Sequence, residues 1–416
     1  MTMPQLRDAD VWRAVRLLYV GSGVLFLATV GLGIANALMP DITRGQILAH
    51  FHSGSIGWVT LSVIATTVWL YTGTRTVSPA YRNGVWLLAG LGIVAATGYV
   101  AAFALAFNGG PFWMLPLFGI PMGLVIVGAF LFTLVQVRRQ PLVTTPHLLL
   151  LGALLVASLG ATMGVLIGLN HADVVHAFPT REGADMVGAH AGPMDMYLAL
   201  AFGAIVELLV TGAAVRRTRT GIAQMVLGVV SGFLTSFGLF TGFVMPTAPI
   251  ALLMFLVAFG FYVVRVGWRA IATNPFTGGR AVPTFFGGLF FPVYVVFFVA
   301  AVMLFFIPGN AMPHAVGVAL IHVIFIGMAT NLLLAMRSTF PEQSGASGPG
   351  VSRALLGGGA WAINLGMLAF FAGEFLAGRK EGAFVMAAGV LVAMFAVERG
   401  MWKARQPPGA VPASRP

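Results

Sequence analysis

The chain contains no cysteine. Cysteine thiolates bind iron–sulfur clusters, thiolate-ligated haem and sulfur-dependent copper sites, and cysteines also form disulfides and anchor haem covalently. All of these are therefore excluded in this chain. A metal ion bound by its side chains must take histidine, methionine or carboxylate ligands.

Charged residues are also scarce. They make up 8% of the 416 residues, whereas hydrophobic residues make up 58%. Soluble domains contain about 25% charged residues. This composition therefore excludes a soluble globular domain and predicts a polytopic membrane protein. Long apolar stretches cross lipid as helices, so the predicted fold class is all-α and membrane lipids are the expected surroundings.

Twelve apolar stretches are long enough to cross a membrane. We predict spans at 13–38, 43–71, 84–107, 112–137, 147–169, 183–215, 221–244, 248–267, 283–307, 313–336, 352–377 and 382–400. Residues 1–400 are expected to form a single transmembrane domain without a cleavable signal peptide. The proline-rich residues 401–416 are expected to form a disordered cytoplasmic tail.

The basic residues predict the orientation of the chain. The net charge is +11, and most arginines and lysines fall in loops after even-numbered spans, among them Arg269, Arg280, Arg337 and Arg353. Cytoplasmic loops of membrane proteins are enriched in these residues. We therefore expect both termini in the cytoplasm, a multi-pass position in a bacterial-type inner membrane, and no nucleic-acid partner.

One histidine lies at a matching place in each of three spans. His52, His190 and His322 occupy the second, sixth and tenth spans, at intervals of 138 and 132 residues, close to one third of the chain. Counted from the helix-start signals before them, they lie at one depth, about 15 Å inside the helix ends. The sequence therefore predicts three pseudo-repeated four-helix units, at about 1–140, 141–270 and 271–400.

Ionisable side chains are costly inside a bilayer and mark functional sites there. Imidazole is the usual axial ligand of b-type haem, and a helix bundle provides a dry pocket for it. His50, His52, His190 and His322 are therefore candidate haem or metal ligands, with His314 a further candidate nearer the surface. His50 and His52 are about 200° apart around a helix, so they point to opposite faces. The alternative interpretation is that each histidine only hydrogen-bonds a neighbouring helix.

Three acids lie inside the predicted spans: Asp195, Glu207 and Glu374. Each is a candidate for a proton relay, and Asp195, five residues after His190, is also a candidate for a hydrogen bond that orients a ligand. The alternative for each is a hydrogen bond that packs two helices. His147 lies at the start of a predicted span, and we assign it a helix-start role only.

The stretch HFHSGSIGWVTL at His50 to Leu61 resembles the second-helix segment of the haem–copper oxidase subunit I superfamily, especially its C-type and nitric-oxide-reductase-like branches. The twelve spans and the histidines of the second, sixth and tenth spans also fit that family. The chain is similar to the NnrS family as well, in its early H-x-H-x4-Gly pattern and, more loosely, around His322, Gly327 and Arg337.

The resemblance implies a haem-binding membrane protein with one or two b-type haems and, as a further metal, copper. It implies one haem held by His322 and by either His50 or His52, and a second haem or metal on the remaining histidine of that pair, on His190 or on His314. The seventh span has no histidine and the tenth has no H-x-H. The full set of two haems and copper that reduces dioxygen to water is therefore not expected.

The favoured function is electron transfer, with handling of nitric oxide or dioxygen, by a degenerate oxidoreductase of this type. Cytochrome c, quinol or other membrane subunits are the implied electron donors and partners. Two alternatives stay open: a haem-bearing electron-transfer subunit without gas chemistry, and a twelve-span secondary transporter. A major-facilitator transporter has two six-helix halves, whereas the period here is one third of the chain.

The absence of cysteine makes the orientation testable. A single cysteine introduced between Asn170 and Asp185 should react with a membrane-impermeant maleimide added outside intact cells, because this loop follows an odd-numbered span. A cysteine at Arg138, on the opposite face, should react only after lysis. Labelling of the first cysteine only from the cytoplasmic side would overturn the predicted topology.

Overall fold

The structure is a computed structural model that describes residues 6, 8–39, 41–73, 75–140, 142–178, 184–212, 217–305, 314–343, 351–376 and 381–403. The side chains of two predicted site residues, His314 and Glu374, lie outside the described part. Within that part the chain consists of helices joined by short turns, without a β-sheet.

Twelve helices of the described chain are long and apolar enough to cross a membrane, as predicted. They are α1 (Ala9–Leu38), α2 (Arg44–Thr72), α3 (Pro79–Ala106), α4 (Met114–Val137), α5 (Thr145–His171), α6 (Ala184–Thr211), α7 (Arg219–Thr241), α8 (244–271), α9 (Ala281–Phe305), α10 (314–343), α11 (Val351–Leu376) and α12 (Glu381–Lys403). The all-α, multi-pass fold is thereby confirmed, whereas the grouping into three four-helix units stays a prediction.

Capping side chains explain where two of the helices begin. The Asp8 carboxylate accepts hydrogen bonds from two backbone N–H groups of the first turn of α1, so this helix begins at Ala9, earlier than predicted. The helix-start role of His147 is confirmed. Its Nδ1 lies 2.6 Å from Oγ1 of Thr144, the residue that caps α5.

Two predictions near helix ends are wrong. Residues Met401, Trp402 and Lys403, which we placed in the disordered tail, continue α12, because Met401 is fully buried against the bundle. Arg337, counted above as a loop residue, is fully buried inside α10, since the apolar packing of that helix continues to Phe340. The rest of the predicted tail, residues 404–416, lies outside the described residues.

The three helices that carry the candidate ligands His50, His52, His190 and His322 are the most buried of the twelve. We call these helices, α2, α6 and α10, the central helices. In α2, α6 and α10, 89%, 72% and 67% of the membrane-spanning window is buried, against at most 50% in each of the other membrane-length helices of the described chain. Trp58 of α2 donates a 3.2 Å hydrogen bond from Nε1 to Thr330 of α10. The core of the protein therefore runs along the helices that carry the candidate ligands.

α2 and α10 share an irregularity next to their histidines. Each changes into a π-helix of eight residues, Ser53–Thr60 directly after His52 and Val323–Thr330 directly after His322. In both, the final threonine hydroxyl donates to the carbonyl five residues earlier, at 2.9 Å and 2.7 Å. The two segments contact each other. π-Helical turns are rare and frequently lie at functional sites.

The first and last membrane helices meet at Arg337. Its guanidinium forms an ion pair with Glu398 of α12 and donates a 2.7 Å hydrogen bond to the carbonyl of Tyr19 on α1. Its Cζ lies 4.8 Å from the ring centre of Trp58 on α2 and 5.1 Å from that of Tyr19. A Cβ atom on Gly23 would lie 2.9 Å from Oε1 of Glu398, so this glycine gives the carboxylate its room on α1.

Glu398→Gln should destabilise the protein, because it leaves the buried charge of Arg337 without a counter-ion. Breaking a buried pair costs about 3–5 kcal/mol, and we expect about 2–3 kcal/mol because the Glu398 side chain is 29% exposed. The control is Asp10→Asn, which breaks the exposed Arg13–Asp10 pair and should cost less than about 1 kcal/mol. Denaturant unfolding in detergent measures both, and equal losses would contradict the assignment.

Candidate functional site

Two of the candidate histidines are hydrogen-bonded to a neighbouring helix. Nδ1 of His50 lies 2.9 Å from the carbonyl oxygen of Thr29 on α1. Nδ1 of His190 lies 2.7 Å from the carbonyl oxygen of Gly160 on α5. In each case a central helix presents an imidazole to the helix that precedes it in the chain.

The helices that receive these two rings have a glycine at the contact. A Cβ atom on Gly33 of α1 would lie 2.9 Å from Cε1 of His50. A Cβ atom on Gly164 of α5 would lie 3.1 Å from Cε1 of His190. Each glycine is four residues after the residue whose carbonyl accepts the hydrogen bond. The His50 and His190 contacts are therefore built in the same way.

The other two histidines bond within their own helices. Nδ1 of His52 lies 2.8 Å from the carbonyl oxygen of Leu48, and Nδ1 of His322 lies 2.8 Å from that of Val318, four residues earlier in each case. The His52 ring also stacks on Phe103 of α3, with ring centres 3.7 Å apart and planes at 15°. His52 thus packs on α3 whereas His50 packs on α1, in keeping with their predicted divergence.

In all four histidines the ring nitrogen that forms the hydrogen bond is Nδ1. A carbonyl oxygen can only accept, so Nδ1 carries the proton and Nε2 keeps a free lone pair. Among the described residues, no group hydrogen-bonds Nε2 of these histidines, which are His50, His52, His190 and His322. Metal-binding imidazoles are held in this way, with the second nitrogen donating to a carbonyl or carboxylate.

Each histidine of α2 has one neighbour among the other candidate histidines. His50 lies within electrostatic range of His322, and His52 lies within range of His190. Which histidine of α2 shares a site with His322 stays a prediction, and of the two it is His50 whose electrostatics His322 affects.

Three of these rings keep part of their surface accessible. His50, His190 and His322 are half-buried by their solvent-accessible surface. His52, which is 9% exposed, is more closely packed than the others because Phe103 covers its ring.

The predicted relay acids have different surroundings. Asp195 is half-buried on α6, has no hydrogen bond within the described chain, and lies within electrostatic range of the buried Tyr294 on α9. Glu207 forms a buried ion pair with Arg265 of α8, which also donates a 2.6 Å hydrogen bond to Gln224. Helix packing therefore accounts for Glu207, the alternative given above. The relay role of either acid stays a prediction.

The sequence analysis missed three partners of these side chains. Arg265 carried a usable signal, because a lone arginine inside an apolar span must find an acidic or polar partner. The carbonyl groups of Thr29 and Gly160 carried none, since every residue has a backbone carbonyl. Only the packing of α1 and α5 against the central helices reveals them.

Within the described chain, no group of three or more histidine, aspartate and glutamate side chains is placed to hold a metal ion. No protein-family model matches the sequence, and no curated protein matches it either. The function must therefore be inferred from the geometry of the four imidazoles.

Gly33→Ala should destabilise the protein, because the new methyl group would press on the His50 ring. Overpacking of this kind costs about 1–3 kcal/mol. The matched control is Gly31→Ala on the same helix, where an added Cβ meets nothing within 4 Å. That change should be neutral or stabilising by up to about 1 kcal/mol, since alanine favours a helix. Indistinguishable unfolding midpoints in detergent would show that His50 does not pack on α1.

Proposed function

We propose that the protein is a haem-binding integral membrane protein that transfers electrons, with His50 and His322 as the residues that would hold a b-type haem. One observation carries the proposal. Two imidazoles on adjacent central helices are within electrostatic range of each other, and each has Nδ1 fixed by a carbonyl and Nε2 without a hydrogen bond. Both rings also keep part of their surface accessible, as binding of a ligand requires.

The number of donors favours haem over a bare metal ion. A protein site for zinc or copper generally needs three or four ligands, which the described side chains do not bring together. Haem brings four nitrogen ligands of its own and requires only axial ligands from the protein. A facing pair of histidines is a complete ligand set for haem and an incomplete one for copper.

The second pair, His52 and His190, is the proposed place for a second haem. Both imidazoles again have Nδ1 fixed by a carbonyl, and Phe103 holds the plane of the His52 ring by stacking. Copper at this pair requires a further ligand, and His314, the remaining candidate, lies outside the described side chains. One or two haems per chain are therefore proposed.

Electron transfer fits the first pair better than gas chemistry does. A haem with two histidine ligands has no open position for a gas molecule, and it supplies one-electron chemistry when bound. Within the chain, His50 and His322 orient the group, and the surrounding apolar helices exclude water. Handling of nitric oxide or dioxygen, which the resemblance implies, is proposed only for a haem held by one of the two histidines His52 and His190, which would leave a position for the gas.

The proposal extends to the setting of the protein. A bacterial-type inner membrane with both termini in the cytoplasm follows from the distribution of basic residues. Cytochrome c, quinol or another membrane subunit is the proposed electron donor. An alternating-access transporter stays the alternative, because twelve helices alone fit it equally well.

A pyridine haemochrome assay with elemental analysis on detergent-purified protein tests the proposal. We expect one or two haems per chain, loss of about one equivalent in His50→Ala and in His322→Ala, and no loss in the control His176→Ala. His176 is an exposed loop residue, so its removal tests for unspecific effects of histidine loss. Each variant is compared with the parent by size-exclusion chromatography, so that misfolding is separated from ligand loss.

An unchanged haem spectrum in the variants His50→Ala, His52→Ala and His322→Ala would refute the ligand assignment. Protein without haem and without copper would leave the histidines as packing or proton-transfer groups. The transporter interpretation would then be preferred.

A further inference from the structure

A cavity of about 520 Å³ opens between the ends of α6, α8, α9 and α11, on the face that the basic residues predict to be cytoplasmic. Three arginines line it: Arg269 near the end of α8, Arg280 before α9, and Arg353 near the start of α11. Sites for small molecules have volumes of about 300–1,000 Å³, so this cavity is large enough for a phosphate group and the moiety that carries it.

The loop before α9 determines the shape of the cavity. Gly278 and Gly279 have φ angles of 72° and 56°, a backbone region that favours glycine. A Cβ on Gly357 would lie 3.0 Å from the backbone nitrogen of Gly279, so the loop lies directly on α11. A Cβ on Gly279 would lie 3.3 Å from Cγ of Arg353. The backbone thus places the stem of Arg353 beside the loop that leads into Arg280.

The charge of the lining selects an anion. Among the described residues that line the cavity there is no acid, and two of its arginines, Arg269 and Arg353, are exposed. Ala281, the first residue of α9, also lines it, and a helix N-terminus adds partial positive charge. A guanidinium group binds two oxygens of a phosphate or of a carboxylate side by side. A phosphate group has further oxygens for a second arginine, whereas a carboxylate has only two oxygens and chloride is a single atom.

The cavity lies at the ends of helices long enough to span a membrane, where such helices reach the membrane–water boundary. It is formed by helix ends, and the guanidinium of Arg269 lies over the ring of Trp268, with Cζ 5.5 Å from the ring centre. Trp268 is 54% exposed, and exposed tryptophans are enriched at the level of lipid headgroups. A ligand can therefore reach the arginines from the lipid or from the aqueous phase.

We propose that this cavity binds a phosphate group, carried either by an anionic phospholipid headgroup or by a soluble phosphate compound. Basic cavities between helix ends on the cytoplasmic side recognise such groups. No candidate histidine lines the cavity, so the proposal does not depend on whether the protein binds haem.

The test compares two ligands on full-length protein. Purified protein is titrated with inorganic pyrophosphate in delipidating detergent, and it is separately reconstituted in phosphatidylcholine nanodiscs with and without cardiolipin. Ligand that binds the folded state raises the unfolding midpoint, so thermal unfolding reports binding in both arms. Stabilisation by pyrophosphate identifies a soluble source, and stabilisation by cardiolipin alone identifies a lipid source.

The double variant R269Q/R353Q should bind the effective ligand at least about tenfold more weakly, because it removes two charge-assisted contacts. The matched control is R138Q/R139Q, which removes two exposed arginines from the same face away from the cavity and should change affinity less than about twofold. The single variant R353Q replaces the double variant if that one aggregates. No stabilisation by either ligand, or equal weakening in cavity and control variants, would overturn the proposal.

Discussion

A charge inside a bilayer must be compensated, and Arg337 meets this requirement with groups from three other helices. The carboxylate of Glu398, the carbonyl of Tyr19 and the ring faces of Tyr19 and Trp58 surround a guanidinium that has no exposed surface. Because α1, α2, α10 and α12 all contribute, the positions of these helices are coupled. Together with the hydrogen bond between Trp58 and Thr330, this contact fixes α2, which carries His50, relative to α10, which carries His322.

A second buried ion pair has the opposite arrangement of charge. On α6 the acid is on the central helix and the base on α8, as Glu207 and Arg265. On α10 the base is central and the acid is on α12, as Arg337 and Glu398. Both pairs connect a central helix to the helix two positions later in the chain. They fix the central helices without placing an unpaired charge next to the histidines, whose Nε2 atoms stay open to a ligand.

The π-helical segments explain how two central helices present histidines in the same way. His52 and His322 are each the last residue before such a segment, and each bonds its own helix four residues earlier. The segments then pack on each other, with Trp58 bonded to Thr330. A wider helical turn rotates the side chains that follow it around the helix axis. The direction in which each histidine points is therefore set separately from that of the residues that join the two segments, such as Trp58 and Thr330.

The fold could be predicted from the sequence because hydrophobicity and length alone define membrane helices. The position of the histidines at one depth stays a prediction, because it counts a constant rise per residue from the helix-start signals. The hydrogen-bond acceptors of His50 and His190 could not be predicted, because they depend on which neighbouring helix receives each ring. Arg337 was misplaced for a related reason. A lone arginine after an apolar stretch reads as a loop residue until its partner, 61 residues later, is known.

The contact of α1 with α12 has a consequence for biosynthesis. Translation produces Arg337 before Glu398, so a chain still on the ribosome holds an uncompensated guanidinium within the membrane until the final helix is inserted. In the nascent protein the flank of α1 that contacts α12 therefore stays uncovered until α12 is inserted. A product truncated before α12 carries a persistent polar defect that membrane quality-control proteases can recognise. Completion of the chain is in this way linked to its survival.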